Sequence, residues 1–215
     1  MEPRQEKLLK LLIERYPQLD VCGENIKKAY ELIEEAYLNG RKLLVSGNGG
    51  SASDSEHIVG ELMKEFRLKR KVYANQAEIL KEIDQEMGTI LAENLQGALP
   101  AISLTGHSSL TTAFMNDSLP ELVFAQQING YGKAGDIYLG ISTSGNSKNI
   151  LYAAITAKAK KLKVIGLTGQ RKSRLMDFAD VCICVPETET YKIQELHLPV
   201  YHCLCMMLED KFFGA

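Results

Sequence analysis

His57 and Glu61 stand four residues apart in a stretch of helical periodicity, so an imidazole and a carboxylate share one helix face. That spacing serves a surface ion pair, a pair of metal ligands or an acid–base couple. Asp54 and Glu56 lie close by and are expected on other faces of the helix. Just before them runs Ser46-Gly47-Asn48-Gly49-Gly50-Ser51-Ala52-Ser53, and a second hydroxyl-rich run, Ser142-Thr143-Ser144-Gly145-Asn146-Ser147, precedes another helical pattern. A small-residue loop between a strand and a helix start suits an anion. Glycines let backbone N–H groups approach, the helix N-terminus adds positive potential, and hydroxyls donate. Neither loop has the Lys-Ser/Thr ending of a Walker A motif or the context of a dinucleotide fingerprint. The serine content suits a monophosphate. Either loop alone reads equally well as a βα turn with capping serines; two at strand C-termini point to the crevice of an open α/β sheet.

Near the C-terminus, Gln194, His197 and His202 lie in one helical pattern. His197 and His202 are five apart and diverge by roughly 140° at 100° per residue, so they do not readily face one site together. The five cysteines have no CxxC spacing and an odd count, which argues for reduced core thiols rather than disulfides or a cysteine zinc site.

These groups need a frame. Apolar runs recur at 42–45, 101–104, 137–141, 164–167 and 181–185, with helical patterns at 7–16, 25–38, 53–66, 147–161 and 193–213. Near-continuous apolar strands alternating with helices imply a mainly parallel sheet covered on both faces. Residues 68–99 fit this scheme poorly. They open with the basic run Arg67-Leu68-Lys69-Arg70-Lys71 and form either an extra helical element or a flap.

The 215 residues are enough for one domain with a sizeable core, and 45% hydrophobic with 24% charged residues excludes disorder, coiled coil and collagen. A formal charge of −2 gives no pull toward nucleic acid or an anionic membrane. No apolar run reaches the ~18 residues of a membrane span, and the charged N-terminus is unlike a signal peptide, so a cytoplasmic address is expected.

Taken in order, Ser46 to Ser51, His57-x-x-x-Glu61, Asn116-Asp117, Ser142 to Ser147, and Ile193-Gln194-Glu195 with His202 resemble the sugar-isomerase (SIS) fold. The joint presence of His57, Glu61, Gln194 and His202 makes the chain similar to the phosphoheptose isomerases in particular, over most of residues 20–213. The resemblance implies a three-layer α/β sandwich with a mainly parallel five-stranded sheet. It implies a single domain over 1–215, with N-terminal helices in 1–38 and a helical or flap insertion at 68–99. Asn48, Gly49, Gly50 and Ser51 would hold the sugar chain, Asn116 and Asp117 would line its pocket, and Ser142, Thr143, Ser144 and Ser147 would bind phosphate. His57, Glu61, Gln194 and His202 would ligate one zinc ion per subunit. Glu61 and His202 would also be the acid–base pair, and Glu61 and Gln194 would touch substrate. A homotetramer with active sites between subunits follows from the same resemblance, and would relax the angular objection to His202.

The implied reaction converts sedoheptulose 7-phosphate to D-glycero-D-manno-heptose 7-phosphate through an enediol. Two other readings stand beside it: an isomerase of another sugar phosphate, and a non-catalytic tetramer that binds the bacterial replication initiator. Glu61 favours the enzyme, since a scaffold needs no carboxylate there. The chain departs from the family at Glu65, where a basic residue is typical, leaving Lys64, Arg67 and Lys69 as nearby cations. Pro199 predicts a kink between Gln194 and His202.

Overall fold

The computed structural model describes residues 1–214. Five parallel strands form one sheet in the order β2-β1-β3-β4-β5, with β1 Leu43–Ser46, β2 Ala101–Ser103, β3 Ile137–Ile141, β4 Lys163–Gly169 and β5 Val181–Val185. The central strands are buried on both faces, which is why they read as unbroken apolar runs. Alternation divides them between two cores. Leu43, Val45, Leu139, Ile165 and Ile183 face one layer, with helices α1 Pro3–Arg15, α2 Gly23–Leu38 and α10 Thr190–Phe213. Leu44, Tyr138 and Val164 face the other, packed on α7 Val123–Tyr131, α8 Lys148–Ala159 and α9 Leu175–Phe178. The result is the three-layer sandwich.

Helix α3 Gly50–Met63 starts three residues earlier than periodicity suggests, because Gly50, Ser51 and Ala52 of the first loop already form its first turn. Helix α6 Ser108–Asp117 and helix α7 lie in a stretch to which the apolar pattern assigns no element. α6 has no buried residue, so it carries no periodic apolar stripe to read. Helix α10 runs unbroken through Pro199 over 24 residues, so the proline does not end it between Gln194 and His202.

Residues 74–94 fold as a helical hairpin, α4 Ala74–Ile83 and α5 Gln85–Asn94, with Asp84 accepting from the Met87 N–H to cap α5. Its two helices pack chiefly on each other. They approach closely at Gly88, where a Cβ would lie 2.0 Å from the Leu80 carbonyl oxygen. The hairpin springs from a tightly bonded base. The Arg70 guanidinium meets Glu209 at 2.8 Å and donates to the Leu62 and Glu61 carbonyls at 2.8 and 2.9 Å. Glu209 also accepts the Phe66 and Arg67 N–H groups, and Gly97 donates to the Arg70 carbonyl. The same guanidinium therefore ties the insertion to the end of α3, the helix that carries Glu61.

Candidate active site

The strand order reverses at β1, whose neighbours are β2 and β3, and both serine loops leave the sheet at its carboxyl edge. In the second loop, Gly145 takes φ +62° and donates to the Ser142 hydroxyl and carbonyl at 3.1 and 3.0 Å. Ser142 and Ser147 hydroxyls lie 3.1 Å apart, Ser144 Oγ receives the Asn146 N–H, and α8 begins directly after Ser147. Thr143 and Ser144 line a 240 Å³ cavity whose rim also carries Arg171 and Lys172. Ser173 packs under the loop, where a Cβ on Gly145 would fall 2.1 Å from its hydroxyl. The loop is thus a hydroxyl-lined cup at a helix N-terminus, the arrangement a phosphate requires.

The first loop joins the second through Asn48 and Asn149, which exchange side-chain amide hydrogen bonds of 3.0 and 2.7 Å. Asn149 was not among the sequence candidates; its signal is only its place in the first turn of α8. Gly50 abuts Gln194, whose amide nitrogen would be 2.6 Å from a Cβ there. Gln194 therefore reaches the first loop, and Ser51 is buried at the start of α3.

One helix turn onward, His57 Nε2 lies 3.2 Å from Glu61 Oε1. Its Nδ1 lies 3.0 Å from the Tyr201 hydroxyl, which in turn donates to Asp54 Oδ1 at 3.2 Å. Asp54 thus belongs to the His57–Glu61 stripe, contrary to the expectation that it points elsewhere. Positions 54, 57 and 61 are spaced i, i+3, i+7, a single helix face. Glu56 does turn away, accepting from the Thr105 hydroxyl. Burial raises the Asp54 carboxyl above its ordinary range, against the opposing pull of Tyr201. The His202 ring stands 5.0 Å from that of His57. Its Nε2 is buried with no partner, and burial, then His57, lowers its basicity. His202 reaches His57 within one chain, so no second subunit is needed to bring them together. His197 is fully buried on the other side of α10, consistent with the divergence of the two histidines.

Because Tyr201 donates to Asp54, it receives the His57 Nδ1–H, and Nε2 is left facing the Glu61 carboxylate. Two electron-rich atoms at that separation call for a second ring proton or a cation between them. The 3.2 Å gap is close to the edge of a zinc tetrahedron, roughly 3.3 Å for legs of ~2.0–2.1 Å. The nitrogen and oxygen donors of His57, Glu61, Gln194 and His202 suit zinc. Among the described residues, no three His, Cys, Asp or Glu side chains already close around a point as a metal group. Of the three cations near Glu65, Lys64 places its ammonium 3.4 Å from Glu61 Oε2. Asn116 and Asp117 sit exposed at the end of α6, bonded to each other at 2.8 Å and to no residue of either loop.

The SIS domain family model matches residues 120–207. A phosphoheptose isomerase of Clostridium acetobutylicum is 36% identical over 89% of this chain and 84% of its own length. One from Synechocystis sp. is 35% identical over 100% of this chain and 94% of its own. The solved structure of a phosphoheptose isomerase from Francisella tularensis superposes with a TM-score of 0.75 at 30% identity, covering 91% of each chain. At these identities and coverages, the chain belongs to the phosphoheptose isomerase family of SIS proteins.

Proposed function

We propose that the protein isomerises sedoheptulose 7-phosphate to D-glycero-D-manno-heptose 7-phosphate. The observation that carries this reading is a buried carboxylate, Glu61, paired with His57 on a helix that starts at one loop of the crevice, beside a hydroxyl cup built for phosphate. Ser142, Thr143, Ser144 and Ser147 bind the phosphate and fix the register of the chain. Asn48, Gly49, Gly50, Ser51 and Gln194 hold the sugar between the loops, and Asn116 and Asp117 line its pocket. Glu61 removes the proton from C1 of the ketose and returns it to C2, and His202 moves the proton between the two oxygens. Lys64 keeps Glu61 company with a positive charge at 3.4 Å.

His57, Glu61, Gln194 and His202 are the residues that would hold zinc, one ion per subunit. When bound, the ion supplies Lewis-acid polarisation of the carbonyl and of the enediolate charge. The reading extends to a cytoplasmic homotetramer with its active sites at subunit interfaces. Leu11 on α1 and Leu198 on α10 leave apolar surface exposed beside His202, which supports association there. No helix among the described residues is long and apolar enough to cross a membrane.

The test is incubation with sedoheptulose 7-phosphate in D2O, alongside other ketose phosphates, followed by NMR. An aldose carrying deuterium at C2 from the seven-carbon substrate supports the proposal. Turnover of a different ketose phosphate alone transfers the chemistry to that sugar, and no turnover of any contradicts it.

A further inference from the structure

The hairpin α4–α5 has a surface that its own subunit does not use. Gly88 is its one buried residue, while Ile79, Ile83, Met87, Ile90 and Leu91 are exposed, Ile83 at 78% and Met87 at 66%. Ile79 and Ile83 are spaced i, i+4, as are Met87 and Leu91, so each helix presents an apolar stripe. The charges around the stripes are one-sided: Glu78, Glu82, Asp84, Glu86 and Glu93 against Lys81. Lys81 pairs with Glu78 at 3.2 Å and Asp84 is spent on its cap, which leaves Glu82, Glu86 and Glu93 as an acidic rim.

A surface of opposite character lies on the same chain. Between α1 and α10 runs a furrow with an apolar floor of Leu8, Leu11, Leu198 and Met206, opening at His202. Lys7, Arg15 and Arg67 stand exposed on its rim. Of its acids, Glu209 is bound to Arg70 and Asp210 to Gln5, leaving Glu195 at the end by His202. The lengths agree. Ten-residue hairpin helices run about 15 Å each and the 13 residues of α1 about 20 Å at ~1.5 Å per residue.

We propose that the hairpin of one copy seats in the α1–α10 furrow of a second copy, acidic rim to basic rim, and closes the side of the candidate active site at His202. The exchange is reciprocal, so a two-fold pair satisfies both hairpins and both furrows at once. Each site is then walled by an element of the other subunit, which gives the insertion a function. This rests on the association proposed above; its test reads contacts and mass, not turnover, so its failure and the failure of the isomerase reading are told apart.

Unlabelled and 15N-labelled protein, mixed and re-equilibrated, are treated with a carbodiimide and analysed by mass spectrometry. Heavy–light peptides joining Glu82 or Glu86 to Lys7 are expected. Reversal of the rim, Glu82→Lys with Glu86→Lys, should weaken association at least tenfold by sedimentation equilibrium. Adding Lys7→Glu with Arg15→Glu should restore it. All these side chains are exposed, and the wild-type cross-link needs no variant. A monomer, links confined to hairpin against hairpin, or a mass and cross-link pattern indifferent to charge reversal would overturn the proposal, the last pointing to a different occupant.

Discussion

His57 and Tyr201, 144 residues apart in sequence, are joined from Nδ1 to hydroxyl at 3.0 Å. The contact fixes which ring nitrogen faces Glu61, because the hydroxyl is itself committed to Asp54. A side chain outside the expected ligand set thereby orients a member of it.

Tyr201→Phe removes that orienting bond and keeps the ring. If His57 holds zinc, the apparent zinc affinity should fall by roughly 10–100-fold, the usual effect of losing an outer-shell partner. Chelator competition measures it, and unchanged affinity would separate His57 from the metal.

Gly145→Ala puts a Cβ at φ +62°, 2.1 Å from the Ser173 hydroxyl. The cup must shift, so KM for the sugar phosphate should rise at least tenfold while thermal stability drops only modestly. Calorimetry with inorganic phosphate checks the loop apart from the sugar.

Arg70 and Glu209 are both buried, and burial raises the Glu209 carboxyl while the Phe66 and Arg67 N–H groups and Arg70 more than offset it, leaving it low. Glu209→Ala strands the guanidinium and should cost about 3–5 kcal/mol in urea unfolding. Arg70 also holds the Glu61 carbonyl, so Arg70→Met is expected to slow turnover as well as destabilise.

His197 is buried, with neither ring nitrogen hydrogen-bonded among the described residues. Burial lowers its pKa from 6.5 to about 4, against a smaller pull from the Thr168 backbone. Its folded pKa is depressed, so the unfolded chain binds the extra proton between these values. The stability is complete above pH 6.5 and is lost as pH falls toward 4, amounting to about 3 kcal/mol. Urea midpoints at pH 7.5 and 4.5 should show this drop, and His197→Leu should flatten it.

The sheet was legible because its strands are buried on both faces and so read as continuous apolar runs. The loops were legible because serine and glycine concentrate where strand meets helix. Asp54 shares the i, i+3, i+7 stripe of His57 and Glu61, a face that the i, i+4 pair alone does not reveal. Tyr201 was hidden differently. It approaches from α10, and a partner 144 residues away leaves no local pattern. The hairpin could be helix or flap from sequence alone, because its apolar residues face solvent rather than a core that would impose one periodicity.

Glu61→Gln keeps the size and hydrogen-bonding capacity of the side chain but removes its basicity. Measured with sedoheptulose 7-phosphate against wild type, turnover should fall by roughly 10²–10⁴, the usual effect of losing a general base, while calorimetry shows sugar-phosphate binding retained. Wild-type turnover in Glu61→Gln would contradict the account, leaving Glu61 only a structural partner of His57.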